Sequence, residues 1–149
     1  MIQLLSLCHL PEIVRIENAC FSSAWSEKQL TQAIENKRYR SFGYFEKGLS
    51  GFCIFSTVAD EAELLQIAIA PELQRQGIAK KLLKLSIEAI KQQKISRIML
   101  EVRDSNRSAL SLYKQAGFLL DGKRKAYYPP EEKGGQREDA ILMSYICSA

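Results

Sequence analysis

Histidine is nearly missing from this sequence: His9 is the only one. A Ser-His-Asp triad needs a histidine beside its nucleophile, and a structural zinc site needs clustered Cys and His ligands, so neither chemistry is supported. No metal is expected. The four cysteines, Cys8, Cys20, Cys53 and Cys147, are scattered and form no CxxC pair. They read as reduced, mostly buried thiols of a cytoplasmic protein. Neither GxxxxGK[ST] nor GxGxxG occurs, which excludes a P-loop and a dinucleotide fingerprint. No apolar run reaches membrane-spanning length, and no basic stretch leads into a long apolar core at the start, so no membrane partner is expected. Repeats, low-complexity tracts and linkers are also absent. Charge of one sign is in short supply: 21 Lys and Arg stand against 17 Asp and Glu, a net of +4. That balance suits a polyanionic cofactor but falls short of a nucleic-acid footprint. Lys80, Lys84 and Lys91 read as a solvated helix face, because no aromatic residues interleave with them.

What is present is ordinary globular material. With 149 residues, 46% hydrophobic and 26% charged, the chain is long enough for one domain, residues 1–149, with a single core. Ile2 to Leu5 reads as a strand. Leu10 to Cys20 has the helical spacing Ile13, Ile16, Cys20, with Pro11 suited to a first turn. Ser26 and Gln29 form a capping-box pattern opening a second helix that runs to about Glu35. Three strands follow: Ser41 to Glu46, Gly51 to Val58 after a turn at Lys47-Gly48, and Ala62 to Ala70, stopped by Pro71. In the last of these Leu65, Ile67 and Ile69 alternate. A broad apolar stripe from Ile78 to Ile90 predicts a core helix from Arg75 to about Gln93. Ser96 to Val102 is an apolar strand, and Asn106 to Ala116 a helix closed by Gly117. A strand from Phe118, a long loop "KAYYPPEEKGGQRED" and a strand from Ala140 to Ile146 complete the chain. Strand, two helices, three strands, helix, strand, helix and two strands make a mixed-sheet α/β domain with helices on the sheet faces.

The chemistry concentrates at "QRQGIAKKLL", residues 74–83. The first N–H groups of a helix lack intrahelical acceptors, and the macrodipole adds positive character there. A glycine in that first turn, Gly77, lets a phosphate approach the backbone, and Arg75, Lys80 and Lys81 add charge. The bland alternative is a plain helix start. Glu101 closes the apolar run "RIMLE", where an ionised carboxylate needs a polar opening or a partner. It is either a functional acid or a solvated strand end beside Arg103. Tyr113, three and four residues after Leu110 and Ala109, has the spacing of a core residue. Asn106 reads as a helix cap. Trp25, Tyr127 and Tyr128 either wall a peptide site or plug the core.

The segments "FSSAWSEKQL", "LLQIAIAPELQRQGIAKKLL", "LEVRDSNRSALSLYKQAGF" and "YYPPEEKGGQREDAILM" occur in this order. Together they resemble the GNAT-superfamily N-acetyltransferases over essentially the whole chain. Gln74 to Ala79 matches the (Q/R)-x-x-G-x-(G/A) pyrophosphate loop of that family. The resemblance is strongest to the bacterial ribosomal-protein alanine N-acetyltransferases, the RimI type. It implies the GNAT fold and acetyl-coenzyme A as donor. The pyrophosphate is then held by Arg75, Gln76, Gly77, Ile78, Ala79 and Lys80, and the pantetheine arm by the backbone of Ile67, Ala68 and Ile69, where two strands splay. It further implies Glu101 as general base, Tyr113 as the acid for the departing thiolate, and Asn106 as a cofactor contact. The implied partner is the N-terminus of a ribosomal protein, acetylated by direct attack of its α-amine. A lysine or small-amine acetyltransferase on the same scaffold is the alternative. So is an acyl-coenzyme A-binding module without catalysis, against which stands the presence of both Glu101 and Tyr113. The sequence does not specify an oligomeric state.

Overall fold

The computed structural model describes residues 1–147, so the domain expected over 1–149 is seen as far as Cys147. The described residues form seven strands and four α-helices. In chain order these are β1 (Ile2–Leu4), α1 (Leu10–Cys20), α2 (Glu27–Glu35), β2 (Tyr39–Phe45), β3 (Leu49–Val58), β4 (Glu61–Ile69), α3 (Ile78–Lys91), β5 (Arg97–Arg103), α4 (Arg107–Ala116), β6 (Leu119–Tyr128) and β7 (Glu138–Ile146). The element order is the expected one, and the strands make a single sheet, β1-β2-β3-β4-β5-β7-β6. All neighbours are antiparallel except β4 and β5, which run parallel around the crossover through α3.

Local chemistry accounts for the helix ends. Ser26 Oγ accepts the Gln29 N–H at 3.1 Å while Gln29 Oε1 accepts the Ser26 N–H at 2.8 Å, a complete capping box. Asn106 Oδ1 accepts the Ala109 N–H at 3.2 Å, so it does cap α4. Gly117 ends that helix at φ +108°, where a side chain would also press on the Tyr145 ring.

The core lies on both sheet faces. Phe52 and Ile54 of β3 pack with Ile13, Ile16, Leu30 and Ala33 of α1 and α2. Cys53 and Phe55 face the other way, toward Leu82, Leu83, Ile87 and Ile90 of α3 and Leu110 and Tyr113 of α4. A central strand covered on both faces reads as an unbroken apolar run, as "GFCIF" does.

Two boundaries differ from expectation by three residues or more. The helix expected from Arg75 starts at Ile78, because Arg75 and Gly77 take left-handed φ angles of +64° and +80° that no α-helix contains. The loop expected from Lys125 starts later, because β6 continues to Tyr128 despite bulges against β7. Side chains from the β7 side hold that irregular end. Asp139 accepts the Ala126 N–H, and Arg137 donates to the carbonyls of Ala126 and Tyr127. No described helix is long and apolar enough to cross a membrane.

One irregularity positions everything that follows. Ile54 pairs with Gln66 but Phe55 pairs with Leu64, so Leu65 is an extra residue, a β-bulge in β4. The bulge reverses side-chain parity. Ala62 and Leu64 join the α3 and α4 side, whereas Ala68 packs with α1 and α2 and Gln66 hydrogen-bonds α1. It also bends β4 away from β5. Their pairing covers only Glu61–Glu63 against Arg97–Met99, after which the two strands part.

Candidate active site

Beyond Glu63, β4 has a neighbour on one side only. The Ala70 N–H bonds to the Ser50 carbonyl, so by antiparallel alternation Ala68 directs its polar groups to β3. Ile67 and Ile69 direct theirs into the opening between β4 and β5. The Ile69 carbonyl is already engaged, accepting from Gln74 Nε2 at 3.0 Å and from the Cys20 thiol at 3.2 Å. The Ile67 N–H and C=O and the Ile69 N–H therefore line the opening. Of the three residues expected to offer backbone contacts, 67, 68 and 69, Ala68 has its polar groups turned to β3.

At the end of β4 the loop 74–77 carries the two left-handed residues and leads into α3. The N–H groups of Arg75, Gln76, Gly77, Ile78, Ala79 and Lys80 have no acceptor among the described residues. Gly77 is the helix N-cap rather than a first-turn residue, and a Cβ placed on it would meet nothing within 4 Å. Arg75, Lys80 and Lys81 are exposed around it. Consecutive free donors, an open glycine and a helix dipole make a cradle for a phosphate-bearing group. With the strand groups of the opening alongside, these residues fit a pyrophosphate joined to an extended, amide-containing arm.

Glu101 and Tyr113 come from opposite faces of the sheet. Ile98, Leu100 and Val102 of β5 pack toward α3 and α4, so Glu101 faces the α1 and α2 side. Tyr113 sits on α4 with its ring 7% exposed, packed against Phe118 at 5.9 Å. Its hydroxyl has no hydrogen-bond partner among the described residues, yet it is not sealed from solvent. Burial, then the neighbouring Cys53 and Tyr128, push the Tyr113 phenol up to about 12. It is thus core by its ring and available by its oxygen. The parted strands are where groups from the two faces can approach a common point.

Around Glu101 the structure assembles residues that sequence reasoning missed. Arg124 Nη1 on β6 lies 3.7 Å from Glu101 Oε1, a half-exposed pair. Glu63, on the same sheet face, has its pKa raised by burial and by the Glu101 charge, with Arg124 opposing. Tyr128 is pushed up to about 12 by burial and then by Glu101. Arg103 lies over the Tyr128 ring at 4.7 Å and Arg124 over the Tyr127 ring at 5.2 Å. These tyrosines are therefore a partly exposed, cation-bearing rim and not a core plug. The alternation of charged residues in β5 was the signal for a polar face, but Glu63 and Arg124 join it only through strand pairing.

Trp25 is half-buried against the α1 and α2 core, and its backbone N–H donates to Glu17 Oε2 at 2.8 Å. Glu17 is a third missed residue. It occupies a buried turn of α1 where its spacing with Ile13 and Ile16 marks it as inward-facing. Among the described residues no group of three His, Cys, Asp or Glu side chains is arranged to hold a metal.

Comparison with known proteins bears on this geometry. The acetyltransferase (GNAT) family model matches residues 10–118. The chain is 37% identical over 136 residues to the [ribosomal protein bS18]-alanine N-acetyltransferase of Escherichia coli K12, covering 91% of this chain and 89% of that protein. It is 38% identical over 133 residues to the enzyme of the same name from Haemophilus ducreyi, covering 89% and 90%. The crystal structure of the Escherichia coli ribosomal-protein-S18-alanine N-acetyltransferase superposes with a TM-score of 0.90 at 35% identity, covering all of this chain and 94% of that one.

Proposed function

The chain belongs to the GNAT acetyltransferase family, and from that premise we propose that it moves the acetyl group of acetyl-coenzyme A to the α-amine of an alanine-starting ribosomal protein. What supports this reading is the opening between β4 and β5, with a run of unbonded N–H donors at one end and Glu101 and Tyr113 on opposite faces of the sheet. The acceptor class is supported by the likeness to bS18-alanine acetyltransferases over about nine-tenths of both chains.

When bound, acetyl-coenzyme A supplies an activated thioester. Residues 75–80 hold its pyrophosphate, the Ile67 and Ile69 backbone holds the extended arm, and Asn106 adds a contact from the start of α4. The α-amine attacks directly, without an acyl-enzyme. An α-amino group has a pKa of ~7.7–8.0 and is neutral in roughly a tenth of molecules near pH 7, whereas a lysine at ~10.4 is neutral in less than about one part in a thousand. A carboxylate therefore suffices as base for an N-terminus, and Glu101 takes the proton directly or through water. Tyr113, kept protonated by its raised pKa, donates to the leaving thiolate. Strand N–H groups at the opening polarise the carbonyl. Residues 1–149 act as one domain, and a ribosomal-protein acceptor, together with four unpaired cysteines in this chain, supports a cytoplasmic location.

The test is thiol release from acetyl-coenzyme A with an Ala-starting ribosomal peptide, against the same peptide blocked at its N-terminus but carrying a free lysine. Turnover confined to the first is expected, matched by a one-acetyl mass shift of the ribosomal protein in cells that hold the gene. Equal turnover on both peptides defeats the α-amine assignment. Cofactor binding without turnover on any amine defeats the enzyme reading.

A further inference from the structure

The mechanism leaves a buried carboxylate without a task. Glu17 is fully buried on α1. Its Oε2 accepts the Trp25 N–H at 2.8 Å and Gln66 Nε2 at 2.7 Å, and its Oε1 accepts the same amide at 3.0 Å. Each of these partners is a donor, and none of the ion pairs among the described residues includes Glu17. Burial raises its pKa, as expected for a carboxylate with hydrogen bonds but no counter-charge. An apolar residue at an inward position of a core helix avoids that penalty, so the carboxylate must be explained by what it joins.

It joins two things. One is Gln66, the residue that follows the β4 bulge and precedes Ile67, on the sheet face shared by Glu63 and Glu101. The other is the backbone of the 21–26 loop, which links α1 to α2 on that same face. This loop has no ladder of its own to hold it. β4 beyond Glu63 also lacks a neighbour on one side. Glu17 is a hydrogen-bonded bridge from the 21–26 loop to this stretch of β4. The cofactor end of β4 has a separate anchor in the Gln74 and Cys20 bonds to the Ile69 carbonyl.

We infer that Glu17 is a positioning residue for the acceptor: its carboxylate clamps the 21–26 loop to β4, and the acceptor's first residues bind against the surface so fixed. This rests on the acetyltransferase reading and deepens it. Glu17→Ala removes the acceptor for both donors. The acceptor-peptide KM should rise by about tenfold or more, while the acetyl-coenzyme A KM stays within about threefold. Glu17→Gln keeps the clamp, because its carbonyl still accepts from Trp25 and its amide donates to a Gln66 whose own amide has turned over. It should stay within about threefold of wild type on both substrates. If Glu17→Ala does not fold, Gln66→Leu breaks only the strand side and should raise the acceptor KM in the same direction. A merely structural Glu17 would lower thermal stability and active fraction, and so kcat, leaving the acceptor KM in place. That result, or an unchanged acceptor KM in folded Gln66→Leu, overturns the inference. So does Glu17→Gln impaired as badly as Glu17→Ala, which would assign the effect to charge. A wild-type protein inactive on every amine would instead overturn the acetyltransferase reading.

Discussion

Gly77→Ala separates backbone strain from ligand contact, because the structure supplies its own control. Gly77 has φ +80° and no atom within 4 Å of an added Cβ. Gly134 has φ +86° and equally open space, but lies in the loop between β6 and β7. An L-residue in the left-handed region costs ~1–2 kcal/mol. In a chain of this length each kcal/mol moves the melting temperature by about 2–4 °C, so both alanine variants should melt roughly 2–8 °C lower. Their ligand affinities should differ. The methyl of Gly77→Ala enters the space above the free N–H groups of residues 75–80, where a phosphate would have to withdraw. Affinity for coenzyme A should fall at least about tenfold, equivalent to ~1.4 kcal/mol, while Gly134→Ala binds as wild type. Differential scanning fluorimetry gives the first quantity and isothermal titration calorimetry the second. Two variants with equal melting losses and equal affinities would refute the cradle, leaving Gly77 as a turn glycine only.

Tyr113→Phe should bind acetyl-coenzyme A normally and lose roughly 10²-fold in kcat, the scale for a positioned proton donor, and full turnover at saturation would reduce Tyr113 to packing. Because the folded-state pKa of Tyr113 is raised to about 12, its contribution to stability is complete below the unfolded value of ~10 and is lost as pH rises through about 12. Wild-type melting temperature should accordingly drop faster than that of Tyr113→Phe over this alkaline window. Glu101→Gln should be slow at neutral pH and recover partly as pH passes the α-amine pKa of ~7.7–8.0, whereas a uniform loss without rescue would make Glu101 structural. Arg124→Met removes the cation facing Glu101 and opposing the rise of Glu63, so the acidic limb of the kcat/KM profile should move to higher pH. The pair is half-exposed and weak, so the shift should be small, and a shift to lower pH would contradict the arrangement.

The elements were legible where the cause is local. Ser26 with Gln29, Asn106 and Gly117 each announce a helix end through bonds made within a few residues, and the α3 stripe repeats the helical period without interruption. The cradle was legible in outline for the same reason, since Gln74 to Ala79 are neighbours in the chain. Its start was misjudged because left-handed φ at Arg75 leaves no trace in composition. The Lys125–Tyr128 end of β6 was hidden because charged and proline-flanked residues read as loop, while bonds from Asp139 and Arg137 make them strand. The sequence by itself thus determined the run of elements, the family and the glycine-bearing loop ahead of α3, all of which depend on residues close in the chain. Only the tertiary structure decided that the Leu65 bulge would part β4 from β5 and swap the faces of its side chains. It alone placed Arg124 beside Glu101, Tyr113 on the opposite sheet face and Glu17 against the unpaired stretch of β4. Those residues belong to β5, α4, β6 and α1, and sheet pairing and helix packing, which no local spacing encodes, set their relative positions.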